Sequence, residues 1–445
     1  QFIRETTALI GFFLIAWSVF VFSEEISFPG VNALLPCLGA ALLIHAGEGG
    51  TSIVGRVLQL KLVVFVGLIS YSLYLWHWPM LVLAEYYTIR ELTVGESVVV
   101  VALSFIASML SWRFVEQPFR RRRVMTYRHD LFVGAAAVMS FAVVFGTTGF
   151  VLKGWPSRFP NEVHQLASFA DSKDPRRDEC LAGKGKWIEP KDACNYGSSV
   201  TPGWAIWGDS HAAALIPGIE ALAEKYDEAV TMFAYRVCTP VLGIRRLDKR
   251  DGLCHEYNEK VLQYLLDNPN YRRVILIGRY AALLGGLSNG FGPREQKKKI
   301  VIVSDDSGQV LEEEALKQVY ENGFKSTVTT LLNNGKEVVL VYPVPETGYD
   351  IPSTLARIEA WGGNAEEFKR PVQYYYNRNN FMLSVLEDLA DRENVHAVAV
   401  HERLCDDMHC VVYANDKPLY HDDNHLSIAG ATYVSSLFEP LFSTA

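Results

Sequence analysis

Five apolar runs crowd the first third of this 445-residue chain, at about 6–22, 31–47, 61–84, 96–115 and 130–151. Each approaches the ~20 residues a helix needs to cross a hydrocarbon layer. The second is short and interrupted by Gly39. A water-soluble enzyme of this length would be more polar than 49% hydrophobic with a net charge of −8, so membrane helices are the expected fold of this region. Only Arg4 precedes the first run, and no small-residue cleavage site follows it, so a removable signal peptide is not expected.

Basic residues give the runs an orientation. Arg4, then Arg56 and Lys61, then Arg120, Arg121, Arg122, Arg123 and Arg128 fall in alternate connections, which the positive-inside rule assigns to the cytoplasm. The other connections carry Glu24 and Glu25, or Glu91 and Glu96. Five crossings from the inside deliver everything after about residue 152 to the far side. Flanked by apolar spans, the arginine run reads as a topology signal, and no nucleic-acid partner is expected.

Cysteine usage agrees with that topology. Cys37 lies in an apolar run, whereas Cys180, Cys194, Cys238, Cys254, Cys405 and Cys410 all lie in the outer segment. An even set in an oxidising compartment suggests disulfides. Sequence cannot select the pairing; joining neighbours (180 with 194, 238 with 254, 405 with 410) is the simplest. A zinc site from Cys405, His409 and Cys410 is the rival, but that spacing follows no recognised zinc pattern, and no metal is expected.

Residues 153–200 are rich in Pro, Gly, Lys and Asp and read as a linker or extension. Beyond them, short apolar strands at 203–208, 229–235, 273–278, 337–343 and 395–400 alternate with helices at about 211–225, 255–267, 310–333, 372–392 and 427–440. That alternation predicts a parallel sheet covered on both faces. Ligands in such sheets bind at the carboxyl ends of the strands. Ser210 and Arg279 both sit at such ends.

Two short strings carry chemistry. Trp207-Gly208-Asp209-Ser210-His211 places a serine between a strand and a helix. There its own N–H and that of His211 lie at the positive end of the helix, where they can stabilise an anionic oxygen. A plain helix cap is the alternative. Asp422-Asp423-Asn424-His425-Leu426-Ser427 supplies a histidine with a carboxylate three residues before it. Asp422 can fold back to fix the imidazole tautomer, with Asp423 as competitor. A polar loop capping the next helix is the bland reading. Neither string is specific alone; both at opposite ends of one α/β domain are.

These strings, with VILIGRYAALLGG at 274–286, resemble the SGNH hydrolase superfamily, and in particular SGNH domains fused to membrane acyltransferases. The first part is similar to the C-terminal end of the acyltransferase family 3 fold, through ISYSLYLWHWPMLVL (69–83) and WRFVEQPFRRR (112–122). The resemblance implies a multidomain chain. Residues 1–128 would be the end of an α-helical transmembrane bundle, 129–152 a linking membrane helix, 153–200 a periplasmic linker or extension, and 201–445 a flavodoxin-like, three-layer SGNH domain. That family carries further helices, with catalytic residues, ahead of these. The chain begins at Gln1 without an initiator methionine, so it reads as a fragment of a longer protein.

The same resemblance implies a nucleophile at Ser210, a general base at His425 and Asp422 behind it. The superfamily's Gly-x-Asn-Asp block, whose Asn serves the oxyanion hole, is replaced by Gly278-Arg279-Tyr280. Arg279 and His211 are therefore the candidates for oxyanion or acceptor binding, and His77 for handling the acyl group in the membrane. The implied function is an O-acyltransferase, in the first instance an O-acetyltransferase, in the bacterial inner membrane with its C-terminal domain in the periplasm. Its acceptor would be an envelope polysaccharide such as lipopolysaccharide O-antigen, and inner-membrane lipids would surround it. No cofactor is expected in the SGNH domain, and acetyl-CoA is the implied acyl donor to the membrane part. A periplasmic acetylesterase and a silent glycan-binding domain remain as alternatives.

Overall fold

The computed structural model describes residues 2–23, 26, 30–48, 50–90, 92–121, 123–183, 185–246, 253–286, 302–304 and 310–443. Among these, five helices are long and apolar enough to cross a membrane. They are α1 (Phe2–Val21), α2 (Leu34–Glu48, entered through a 3₁₀ turn from Val31), α3 (Lys61–Thr88), α4 (Val94–Ser111) and α5 (Arg128–Val151). A π-helical turn, Trp112–Glu116, extends α4 to Arg120. These helices coincide with the five apolar runs. No residue of α5 is buried, and Phe132, Phe141 and Phe150 stand outward; a surface of that kind needs lipid rather than water around it. Glu24, Glu25, Glu91 and Arg122, on which the topology reading drew, lie outside the described residues.

The chain divides into two units, Gln1–Gly146 and Thr147–Ala445. The second is built on a six-stranded sheet of β1 (Cys194–Gly197), β2 (Trp204–Gly208), β3 (Ala229–Ala234), β4 (Arg273–Ile277), β5 (Glu337–Val341) and β6 (Val395–Val398). Their spatial order is β1-β3-β2-β4-β5-β6. All neighbours run parallel except β1, which pairs antiparallel with β3. Without β1 this is the flavodoxin order, whose crevice lies where the strand order reverses. The reversal falls at β2, so the segment after Gly208 opens into that crevice.

Strand side chains alternate between two cores, as a period of two requires. Ile206, Met232, Ile275 and Val339 join one core with helices α6 (Ser210–Lys225), α9 (Ile351–Ala360) and α11 (Ile428–Ser435). Trp207, Phe233, Leu276 and Leu340 join the other with α7 (Cys254–Asp267), α8 (Glu313–Asn333) and α10 (Val372–Ala390). The result is the three-layer αβα sandwich expected from the alternating pattern. The expected final helix is broken, however, with Glu439–Ser443 following α11 as a separate turn of helix.

Residues 153–200 form an extension built into this unit. Val163, Leu166, Cys180 and Leu181 lie in the first core, and β1 widens the sheet. Disulfides join Cys180 to Cys194, Cys238 to Cys254 and Cys405 to Cys410. This is the neighbour pairing, and it removes Cys405 and Cys410 as zinc ligands.

Glycine permits the approach that brings the two sequence strings together. A Cβ on Gly218 of α6 would stand 2.3 Å from the Ala431 carbonyl oxygen of α11. The two helices therefore touch backbone to backbone, with Ser210 at the start of one and His425 just ahead of the other. Replacing Gly218 with valine should force them apart and cost about 1–3 kcal/mol. Thermal unfolding followed by tryptophan fluorescence should show a lowered midpoint; an unchanged midpoint would mean the contact is loose.

Candidate active site

Strand β2 ends at Gly208, where a Cβ would meet the Ile277 carbonyl oxygen of β4 at 1.9 Å. Only glycine fits so close an approach. Asp209 then caps α6. One carboxylate oxygen accepts the His211 N–H at 2.8 Å, and the other accepts the Arg279 N–H at 2.8 Å. One side chain thus ties the β2 turn to the β4 turn. Ser210 follows as the first helical residue, where N–H groups have no intrahelical acceptor.

The second string reaches Ser210 from the far end of the chain. His425 Nε2 lies 2.7 Å from Ser210 Oγ, and its Nδ1 lies 2.7 Å from Asp422 Oδ2. With Nδ1 protonated toward the carboxylate, Nε2 is free to accept the serine proton. The other oxygen of Asp422 accepts the backbone N–H groups of Asn424 (2.9 Å) and His425 (2.7 Å). The structure therefore brings together Ser210, His425 and Asp422, and it chooses Asp422 over Asp423. Burial would raise the Asp422 carboxyl, but the His425 hydrogen bond and positive surroundings hold it well below the usual range. Asp423 differs: burial, with Asp422 beside it, pushes it up to about 6.

His211 and Arg279 are placed otherwise than as free donors. The His211 N–H is spent on Asp209, and its ring Nε2 lies 3.1 Å from Asn424 Oδ1. The Asn424 amide donates to Asp423 Oδ1 at 2.7 Å, which orients its oxygen toward His211. Burial, with His425 and Arg279 nearby, lowers His211 to about 4, so it is neutral at physiological pH. The neighbours of the serine and of the histidine are thus bonded to each other as well. The Arg279 guanidinium is held by the buried carboxylate of Glu346, which Arg378 also approaches at 3.3 Å. Burial would raise Glu346, but the two arginines hold it down to about 2.

Glu346 belongs to a segment the sequence reading passed over. Pro343 to Asp350 leaves the carboxyl end of β5. Within it Thr347 donates from N (2.8 Å) and Oγ1 (2.7 Å) to the Asp423 carbonyl. This third turn therefore grips both the Arg279 turn and the histidine loop. The available signal was its place after an apolar strand, the same position that drew attention to Ser210 and Arg279.

In the membrane unit, His77 lies on α3 with Nδ1 3.0 and 2.8 Å from the carbonyls of Leu73 and Tyr74. It lines a cavity of about 450 Å³ together with Ser70, Tyr74 and Ser104.

The family model described as "SGNH domain (fused to AT3 domains)" matches residues 179–440. The O-acetyltransferase OatA of Staphylococcus aureus is 33% identical over 83 residues, which are 18% of this chain and 13% of that protein. The aligned part thus spans 13% of the length of these curated relatives. Among solved structures, the periplasmic domain of a Salmonella ser. Paratyphi A lipopolysaccharide acetyltransferase is similar at 12% identity and a TM-score of 0.44, covering 63% of this chain and 97% of its own. A GDSL-like lipase from Bacteroides thetaiotaomicron covers 64% and 98% at 10% identity and a TM-score of 0.29.

The balance of charges at His425 sets the expected pH response. Burial lowers its proton affinity, Asp422 opposes this, and Arg177 and His421 add to the lowering. The free base therefore persists below the ordinary imidazole value of about 6.5. The rate at which a fluorophosphonate labels Ser210 should fall only as pH drops under that value. A midpoint above it would mean that Asp422 outweighs burial.

Proposed function

Because the chain belongs to the family of SGNH domains fused to AT3 domains, we propose that it is an O-acyltransferase, specifically an O-acetyltransferase acting on a cell-envelope polysaccharide. The observation that carries this reading is the unbroken chain Ser210–His425–Asp422, with 2.7 Å at each link, in a protein that also holds five apolar helices. The serine site alone suits hydrolysis and transfer equally. Fusion to an apolar helical unit supports transfer, since an acyl group made in the cytoplasm must be carried outward to reach an envelope glycan.

Ser210 Oγ attacks the acyl carbonyl carbon while His425 Nε2 takes its proton, and Asp422 stabilises the resulting imidazolium. The Ser210 N–H and the positive end of α6 face the oxyanion. Collapse expels the donor's leaving group, which takes the proton back from His425, and leaves the acyl group as an ester on Ser210. A sugar hydroxyl then attacks that ester, gives its proton to His425, and departs acylated as the serine is restored. Losing one oxyanion donor costs about 2.7–4 kcal/mol, so with arginine in place of the family's asparagine the site is slower or draws on another donor. Arg279, braced by Glu346, serves on this reading to bind the acceptor beside Ser210.

The remaining assignments follow the same reading. The helical unit lies in a bacterial inner membrane, the α/β unit lies in the periplasm, acetyl-CoA donates from the cytoplasm, and His77 handles the acyl group within the membrane. O-antigen of lipopolysaccharide is the first acceptor to test, followed by peptidoglycan and exopolysaccharide. Replacing Ser210 with alanine in the full-length protein should lower glycan O-acetylation by orders of magnitude, read by mass analysis of envelope glycans, while the protein stays in the membrane. Unchanged acetylation would move the essential chemistry away from Ser210.

A further inference from the structure

His425 is held along its edges by two hydrogen bonds, to Asp422 from Nδ1 and to Ser210 from Nε2. Such bonds tolerate tens of degrees of misalignment before they weaken steeply, so they fix the line between the two nitrogens better than the tilt of the ring about it. That tilt decides where the Nε2 lone pair points, and small misplacements of a reacting group can cost about 10²-fold in rate.

Two imidazoles pack on this ring: His211 at an angle of 50° with centroids 4.9 Å apart, and His421 nearly parallel to it and offset. His421 and His425 have centroids 5.3 Å apart and planes only 9° from parallel. His421 is itself fixed: its side chain is buried, and its backbone N–H donates to the His425 carbonyl at 3.0 Å. Its nitrogens offer little as hydrogen-bond donors. Nδ1 stands 3.7 Å from Asp422 Oδ2, beyond hydrogen-bond reach, and Nε2 meets no acceptor or donor among the described residues. Burial lowers its proton affinity, with Arg177 and Lys173 adding to the effect and Asp422 opposing it.

We propose that His421 is a positioning residue for acyl transfer, acting through the flat face of its ring on the tilt of His425. The proposal rests on the acyl-enzyme reading above and adds a residue outside the three that reading uses. It separates ring shape from nitrogen chemistry: phenylalanine should replace His421, whereas leucine, which fills the space without a flat face, should not.

The test uses the purified chain in detergent micelles with p-nitrophenyl acetate as acyl donor, comparing wild type with His421→Ala, His421→Leu, His421→Phe and Ser210→Ala. Alanine and leucine are expected to lower kcat about tenfold or more with KM within about twofold, because they disturb the reacting geometry and not binding. Phenylalanine should restore kcat to within about threefold of wild type. The leucine variant keeps the comparison usable if alanine impairs folding. Wild-type kcat in His421→Leu, or a kcat in His421→Phe as low as in His421→Leu, would overturn the proposal. Turnover that survives in Ser210→Ala would instead overturn the acyl-enzyme reading beneath it.

Discussion

Everything at this site depends on one closure: Ser210 and His425, 215 positions apart in sequence, must meet within 2.7 Å. Neither string achieves that alone. The sheet places Ser210 at the mouth of the crevice because Gly208 lets β2 run hard against β4. The helix that begins with Ser210 then lies backbone to backbone on the helix that follows His425, an approach that Gly218 allows. Ser427 fixes the start of that second helix, accepting from the Gly430 N–H at 3.1 Å and donating to the Pro418 carbonyl at 2.7 Å. Secondary hydrogen bonds then secure the closure, including His211 to Asn424 and Thr347 to Asp423.

The site also concentrates charge where water is scarce, and it settles that charge pairwise. A buried ion that loses its partner costs about 3–5 kcal/mol. Asp422 is answered by His425 and two backbone N–H groups, and Glu346 by two arginines. Asp423 accepts from the Asn424 amide, and burial beside Asp422 raises its proton affinity. Two adjacent aspartates thereby acquire different characters. Asp422 stays ionised and can support an imidazolium, whereas burial beside Asp422 pushes Asp423 up to about 6. Among the described residues, Glu346 links this balance to Arg279, so the departure from the family's asparagine comes with its own counter-charge.

Much of this was legible in the residues. The five membrane helices followed from run length, since a crossing needs about 20 apolar residues, and five of the six sheet strands followed from short apolar runs set between amphipathic ones. The exception, β1, was hidden because Cys194–Gly197 is short and mostly polar; what makes it a strand is the edge of β3 beside it. The neighbour pairing of cysteines was the simplest choice and is the one found. The two strings named Ser210, Asp422 and His425, yet nothing in them revealed that the His211 N–H is consumed by Asp209. Glu346 and Thr347 carried only their place after an apolar strand as a signal, and local pattern could not find Arg378 or His421, because their places are set by tertiary packing. Long-range partners of that kind leave no periodicity to read.

The central claim is that the acyl group passes through Ser210. It is tested most directly by quenching the full-length protein during acetyl transfer, digesting it, and examining the Ser210 peptide by mass spectrometry. The account predicts an acetyl ester on Ser210 that builds up without acceptor glycan and is discharged onto the glycan when it is added. A glycan that becomes acetylated while Ser210 never carries the group would contradict it.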